Sequence, residues 1–433
     1  MLTLTKSDPI YAEYIRILNA ELICATGCTE PIAIAYAAAK AREVLGVLPD
    51  EYSVEASGNI IKNAKSVVVP NTSGMRGIEA AAAAGIVAGN AAAELEVLSN
   101  VCESERAAIR AYRDTHAGAV IPEAGGKVFF IAVCVKSGAS SARVTIEDFH
   151  TNITHIEKDG VCIYEKASPA SCAAAAPQPD YSTLDVERIV AFADCVDTED
   201  IADVLERQIV CNSAISAEGL ANPWGARIGR TLLVSRSNDT CLRAMAAAAA
   251  GSDARMSGCE MPVVIVSGSG NQGMTASLPV IECAKELGAD RNRLYRALAV
   301  SDLVTIHQKT SIGRLSAFCG AVSAGCGAAA GIAYLNGNGF DVIAHTIVNT
   351  LAILSGMVCD GAKPSCAAKI AMAVEAGFLG YEMYQNGKNQ FLDGEGIVKK
   401  GVDNTIRTVG RMASIGMRGT DREILDIMTG SNG

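Results

Sequence analysis

From Leu315 to Phe340 the chain carries no charged residue, and Val342 to Cys359 carries none either. Runs of that length must be hidden from water, in lipid or in protein, because a helix that is apolar all round is a buried one. Roughly 20 residues suffice to cross a bilayer. The first run, however, is built largely from Gly, Ala, Ser and Cys and reaches Asn336 and Asn338, and the second contains His345 and Asn349. Small and polar side chains gain little from lipid and allow helices to pack closely. Both runs therefore predict buried helices of a soluble domain, with no membrane association.

The composition narrows the class further. At ~150 residues per domain, 433 residues predict about two to three domains with large cores. Hydrophobic residues at 49% and charged residues at 19% exclude a disordered chain. With 37 basic against 47 acidic residues and a net charge of −10, no basic stripe is available for nucleic acid or an anionic membrane. A single Trp and 5% aromatics also argue against base stacking. The 15 cysteines are odd in number and too sparse for a disulfide scaffold. Met1 to Tyr11 carries Lys6 and Asp8 and lacks the apolar region of a signal peptide. The expectation is a cytoplasmic protein with reduced thiols, most of them packed in the core. Assembly into a homo-oligomer is left open.

Along the chain, residues 9 to 46 read as helix, broken near Thr26–Pro31, with Pro31 a favoured first-turn residue. Ser53–Ala56 and Ser66–Val69 read as strands, and Gly77–Leu98 as one Ala-rich helix. Lys127–Lys136, Ala142–Asp148 and His155–Glu165 have strand character, the last with a hairpin signal at Lys158-Asp159-Gly160. Ala167–Tyr181, with Pro169, Pro177 and Pro179, reads as a linker, and Leu184–Met428 as almost wholly helical. The fold class expected is mixed α+β: a mostly helical body of residues 1–46 plus 179–433, with an inserted α+β module at 47–178.

Three motifs carry chemistry. Gly268-Ser-Gly270-Asn-Gln-Gly273 fits the dinucleotide pattern and has Asp290 at a suitable distance, but Ile281–Leu298 looks helical where a second strand is required. As a Gly/Ser/Asn loop opening a helix it is either a carboxylate cradle or a structural turn. Cys359 and Cys366 flank Gly361 and Pro364, and Cys319 and Cys326 lie in the first uncharged run. The spacing of the first pair is too wide for a zinc site but suits the irregular spacing of iron–sulfur ligands; buried thiols are the alternative. Cys28, in Thr26-Gly-Cys28-Thr-Glu-Pro31, precedes a helix start, where the thiol pKa falls; a packed, inert thiol is again the alternative. The five histidines form no metal-spaced pair, and His155 reads as packed or hydrogen-bonded.

Taken in order, Gly27-Cys28-Thr-Glu-Pro31, Ser57-Gly-Asn59-Ile-Ile-Lys62-Asn63, Asn152 in its His-Thr-Asn-Ile-Thr-His context, Ser252-Asp-Ala-Arg-Met256, Ser267–Gly273, Arg314–Cys319 and Cys359–Cys366 resemble the L-cysteine desulfidase family over essentially the whole chain. The C-terminal half also resembles the α chain of iron–sulfur L-serine dehydratases. The resemblance implies a [4Fe–4S] cluster in the helical body, held by Cys319, Cys359 and Cys366 with one iron open to substrate. It implies Cys28 as a nearby acid/base rather than a ligand, and leaves Cys326 out. Ser267, Gly270, Asn271 and Gln272 would hold the substrate carboxylate, with Asn59, Lys62, Asn63, Lys309 and Arg314 as further substrate-binding candidates. The implied reaction is β-elimination from L-cysteine to pyruvate, ammonia and sulfide. Rival readings are the same chemistry on L-serine or another β-substituted amino acid, and an iron–sulfur sensor or binding protein without turnover. A pyridoxal phosphate lyase using Lys62, Lys309 or Lys369 lacks any accompanying phosphate cup.

Overall fold

A computed structural model describes residues 2–116, 118–166, 178–235 and 239–430. Helix α1 (Pro9–Glu21) starts on a proline, whose missing N–H costs nothing in a first turn. Strand β1 (Cys24–Thr26) leads into α2 (Thr29–Leu45), and β2 (Glu51–Ala56) into the short α3 (Gly58–Ala64). After α4 (Ile78–Ala88) and α5 (Glu103–Thr115) come β3 (Gly118–Pro122), β4 (Phe130–Ser137), β5 (Ser140–Glu147), β6 (Ile153–Lys158) and β7 (Val161–Glu165). Strands β2 to β7 make one sheet in the order β3-β2-β4-β5-β6-β7, parallel between β2 and β3 and antiparallel elsewhere. The alternation in β2 buries Tyr52, Val54 and Ala56. Helix α2, in the stretch that the sequence groups with the helical body, lies on β4 and β5 and against α4. Every residue from Thr29 to Ala39 is consequently buried, the larger Ile32, Ile34 and Tyr36 among alanines.

The hairpin at Lys158–Val161 forms as its sequence requires. Asp159 and Gly160 both take positive φ, 51° and 79°, the pair that a two-residue hairpin loop needs. Two other expectations fail. Ser66–Val69 is not a strand: its one ladder contact is an isolated bridge from Val68 to Arg76. The Ala-rich helix ends at Ala88, and a separate 3₁₀ turn follows at Ala91–Glu96. Asn90 explains the break, because its side chain accepts from Ala92 N and offers the backbone an alternative to the helix. Residues 167–177 of the linker expectation lie outside the described residues.

Among the described residues the remainder is helical except for one strand: α6 (Val186–Cys195), α7 (Ala202–Ala221), α8 (Ile228–Ser235), α9 (Thr240–Met256), β8 (Pro262–Val264), α10 (Gly270–Leu287), α11 (Arg291–Ile312), α12 (Gly320–Leu335), α13 (Phe340–Ile353), α14 (Cys366–Gln385), α15 (Val402–Arg411) and α16 (Arg418–Thr429). The fold is thus mixed α+β and mostly helical. Strand β8 pairs antiparallel with β1 and ties the start of the chain to the C-terminal helices. The two uncharged runs become α12 and α13, and no helix among the described residues is long and apolar enough to cross a membrane.

Helix α12 packs against α10, α11, α13 and α14 at once. It does so through glycine. A Cβ on Gly325 would stand 2.6 Å from the carbonyl oxygen of Ala373 in α14. A Cβ on Gly327 would stand 2.1 Å from Thr305 Oγ1 and 2.4 Å from the carbonyl oxygen of Ser301 in α11. Gly327→Ala must push backbone apart and is expected to cost about 1–3 kcal/mol in urea unfolding. Gly419→Ala, where a Cβ meets nothing within 4 Å, should cost nothing.

One buried carboxyl makes stability depend on pH. Among the described residues, Asp302 in α11 accepts a single hydrogen bond, from Gln208 Nε2 at 3.0 Å, and its second oxygen has no partner. Burial pushes the carboxyl up to about 7. An ordinary aspartate in the unfolded chain ionises near ~4. The native state therefore holds a proton that the unfolded state has released, and this contribution, full below about pH 4, is lost as the pH rises to about 7. Asp302→Asn should flatten the fall in the urea midpoint between pH 5 and pH 8.

Candidate active site

Four helices begin at one cavity. Cys28 is the N-cap of α2, Ser269 of α10 and Cys319 of α12, while Cys366 is the first residue of α14. Residues from all four first turns line the same space. Each helix start brings N–H groups without helical partners and the positive end of a dipole. A cavity walled in this way favours anions.

Backbone pairing brings two of the thiols together. Phe318 and Val358 form an antiparallel bridge; Cys319 N donates to Met357 O at 3.1 Å and Cys359 N to Ala317 O at 2.7 Å. Cys366 joins them through a turn in which Gly361 takes φ 96° and leaves only 2.5 Å between its Cβ position and the carbonyl oxygen of Lys62. The hydrogen bond from Cys319 pulls the Cys359 thiol down, aided by the ammonium groups of Lys62 and Lys369. The same bond, with burial, holds Cys319 up. Burial brings the neighbouring Lys309 ammonium down to about 8. Three thiols with lysines around them are a soft donor set, suited to an iron–sulfur cluster and not to a hard oxygen-seeking cation. Cys326 faces elsewhere: its thiol meets Ile347 O at 3.7 Å in the core. His155 is hydrogen-bonded, as expected, to Glu165 at 2.7 Å. With Cys162 these two form a group whose ligand atoms lie within 4.8 Å of one another, on a hairpin whose β7 strand is exposed.

Around Cys28 the packed-thiol alternative describes the structure better than the helix-start one. The helix start predicts a lowered thiol pKa; burial first, and then the Glu30 carboxylate, raise it instead. Cys28 Sγ donates to Glu30 Oε2 at 3.3 Å. Thr29 Oγ1 lies 3.1 Å from the same oxygen, and Asn63 Nδ2 donates to Oε1 at 3.1 Å. His150 Nε2 is 4.0 Å from Glu30 Oε1, with its ring edge-on to Phe129 at 4.8 Å. Burial alone would raise Glu30, but His150 and the Cys28 thiol hold its carboxyl down at about 2. The resting pair is therefore a neutral thiol on a carboxylate.

Of the remaining sequence candidates, Asn63, Asn271, Gln272, Lys309 and Arg314 line the cavity. Arg314 is fixed by Glu21 at 2.8 Å and lies 4.3 Å over the Phe149 ring. Lys62 is buried and paired with Asp421 at 2.6 Å, and the other Asp421 oxygen accepts from Ala317 N at 3.0 Å. This pair braces α3 and α16 against the Cys319 segment. Asn59, Ser267 and Gly270 are not among the lining residues. Ser267 forms the turn before α10 with φ 48°, and Gly270 lies beneath Arg255. The dinucleotide reading falls, because among the described residues β8 pairs only with β1, and Asp290 caps α11. Glu30, His150, Ser269 and Arg255 were missed as site residues. The signal for Arg255 was present: it and Asp253 are the charges in the otherwise uncharged stretch 244–256.

The family described as serine dehydratase alpha chain matches residues 92–426. The chain is 55% identical to a UPF0597 protein of Desulfitobacterium hafniense, over 98% of each chain. It is 51% identical to one of Lachnoclostridium phytofermentans, over 97% of this chain and 100% of that one. It is 47% identical to one of Finegoldia magna, over 96% and 99%.

Glu30→Gln removes the negative charge beside Cys28. The thiol pKa should fall, and iodoacetamide labelling of Cys28 at pH 8, read by peptide mass spectrometry, should rise by about tenfold for each unit it falls.

Proposed function

The chain belongs to the serine dehydratase alpha chain family, and from that membership we propose that it is a [4Fe–4S]-dependent lyase that eliminates sulfide from L-cysteine. The observation that carries this reading is the meeting of Cys319, Cys359 and Cys366 at one cavity that also holds Cys28 and Glu30. Those three thiolates would hold the cluster, and the bound cluster would supply an iron with a free position, a Lewis acid toward the substrate. The net reaction is L-cysteine plus water to pyruvate, ammonium and hydrogen sulfide.

The protein's own residues handle protons and orientation. Glu30 takes the thiol proton of Cys28 as the sulfur takes the Cα proton of the substrate, so the base acts through the pair. The Cα–H electrons form the double bond as the Cβ–S bond breaks, and the proton held by the pair is returned to the departing sulfide. The resulting enamine tautomerises and hydrolyses in water. The N–H groups opening α10, with Asn271 and Gln272, orient the carboxylate. A second reading, dehydration of L-serine at the same site, is favoured by the family's description. It requires only a hydroxyl in place of the thiol leaving group.

Protein purified without oxygen should contain iron and acid-labile sulfide, and Cys359→Ser should lose both together with turnover. Retention of the iron, the sulfide and full activity in that variant would overturn the assignment. Cys28→Ala should keep the cluster and lose about 10²–10⁴-fold in kcat. Pyruvate release from L-cysteine compared with L-serine ranks the two substrates.

A further inference from the structure

Arg255 is a buried cation with its gripping edge unused. It lies in the last turn of α9, 2% exposed, and lines the cavity. Its Nη1 donates to Asn271 Oδ1 at 3.3 Å, while Nε and Nη2 are buried without any partner among the described residues. Among the described residues no carboxylate forms an ion pair with it. Leaving two donors of a buried guanidinium unmade is costly, and this edge calls for an anion. Nε and Nη2 are the two parallel donors that meet both oxygens of a carboxylate.

The surroundings select the anion. Lysines serve the cluster thiols: Lys62 and Lys369 act on Cys359, and Lys309 stands beside Cys319 and Cys359. The charge of Arg255 is felt instead at Cys28. Gly270 makes room for the guanidinium, since a Cβ there would lie 2.4 Å from Nε and 2.7 Å from Cζ. The buried Gln272 Oε1, also without a partner among the described residues, belongs to the same first turn of α10 and can accept from an ammonium. We infer that Arg255 binds the α-carboxylate of an amino-acid substrate through Nε and Nη2, holding the α-carbon within reach of Cys28. This inference rests on the lyase reading for its substrate and adds the residue that selects a free carboxylate.

The test uses anaerobically purified holoprotein and two ligands without a leaving group, L-alanine and L-alaninamide, followed by isothermal titration. Wild type should bind the acid in preference to the amide. Arg255→Gln should weaken L-alanine binding about 30-fold or more, and Arg255→Lys, which keeps the charge but not the fork, should fall between. For the substrate, KM should rise more than kcat falls. Gly270→Ala leaves Arg255 in the chain but displaces it, so it should also lose L-alanine binding while retaining the iron content of wild type. Equal binding of acid and amide by wild type, or unchanged L-alanine binding in Arg255→Gln, overturns the anchor. If Arg255-dependent L-alanine binding occurs without elimination from cysteine or serine, the anchor stands and the lyase reading falls. Turnover with an unchanged KM in Arg255→Gln does the reverse.

Discussion

Everything in the C-terminal part of the fold depends on how closely its helices approach. At Gly325 and Gly327 the backbones of α14 and α11 come so near α12 that a single methyl group would collide with a carbonyl oxygen or a hydroxyl. Packing at that distance gains dispersion over long contact lines. It also draws the starts of α10, α12 and α14 to one place. On the other side, α2 is held between α4 and the sheet, and its N-cap, Cys28, meets the same cavity.

The electrostatics follow from that convergence. Four helix starts, Lys309, Arg314 and Arg255 make the cavity wall positive, and the one carboxylate lining it, Glu30, is held ionised by His150 and the Cys28 thiol. Thiolates and a substrate carboxylate are the groups such a wall stabilises. The charges are also divided in space. Lysines surround the Cys319–Cys359 pair, whereas Arg255 and Glu30 face Cys28. The division separates the groups that would hold a cofactor from those that would hold and deprotonate an amino acid. The Lys62–Asp421 pair ties α3 and α16 to the segment leading to Cys319.

Much of this was legible in the sequence because it rests on local rules. The uncharged small-residue runs read correctly as buried helices. The Lys158–Gly160 signal marked its hairpin, where both turn residues take positive φ. The Ser/Gly/Asn loop before Gln272 marked a helix start. Local rules failed where a neighbour in space competed. Ser66–Val69 has strand composition but finds only an isolated bridge. The Ala-rich helix stops at Ala88 because the Asn90 side chain competes for the backbone. Cys28 stands at a helix N-terminus, as its motif predicts, yet its thiol is raised, because burial and Glu30 outweigh the dipole.

The sequence by itself determined the fold class, mixed α+β and mostly helical, and named candidates for its chemistry. Periodicity and small-residue runs are properties of neighbours along the chain, and the resemblance carried by the ordered motifs put forward Cys28, Cys319, Cys359 and Cys366 as candidates. Only the tertiary structure decided what each of these groups faces. Glu30 against Cys28, Lys62 tied to Asp421 and the open edge of Arg255 all arise between segments far apart in the chain. Burial and charge act through space, and no spacing in the sequence encodes those distances.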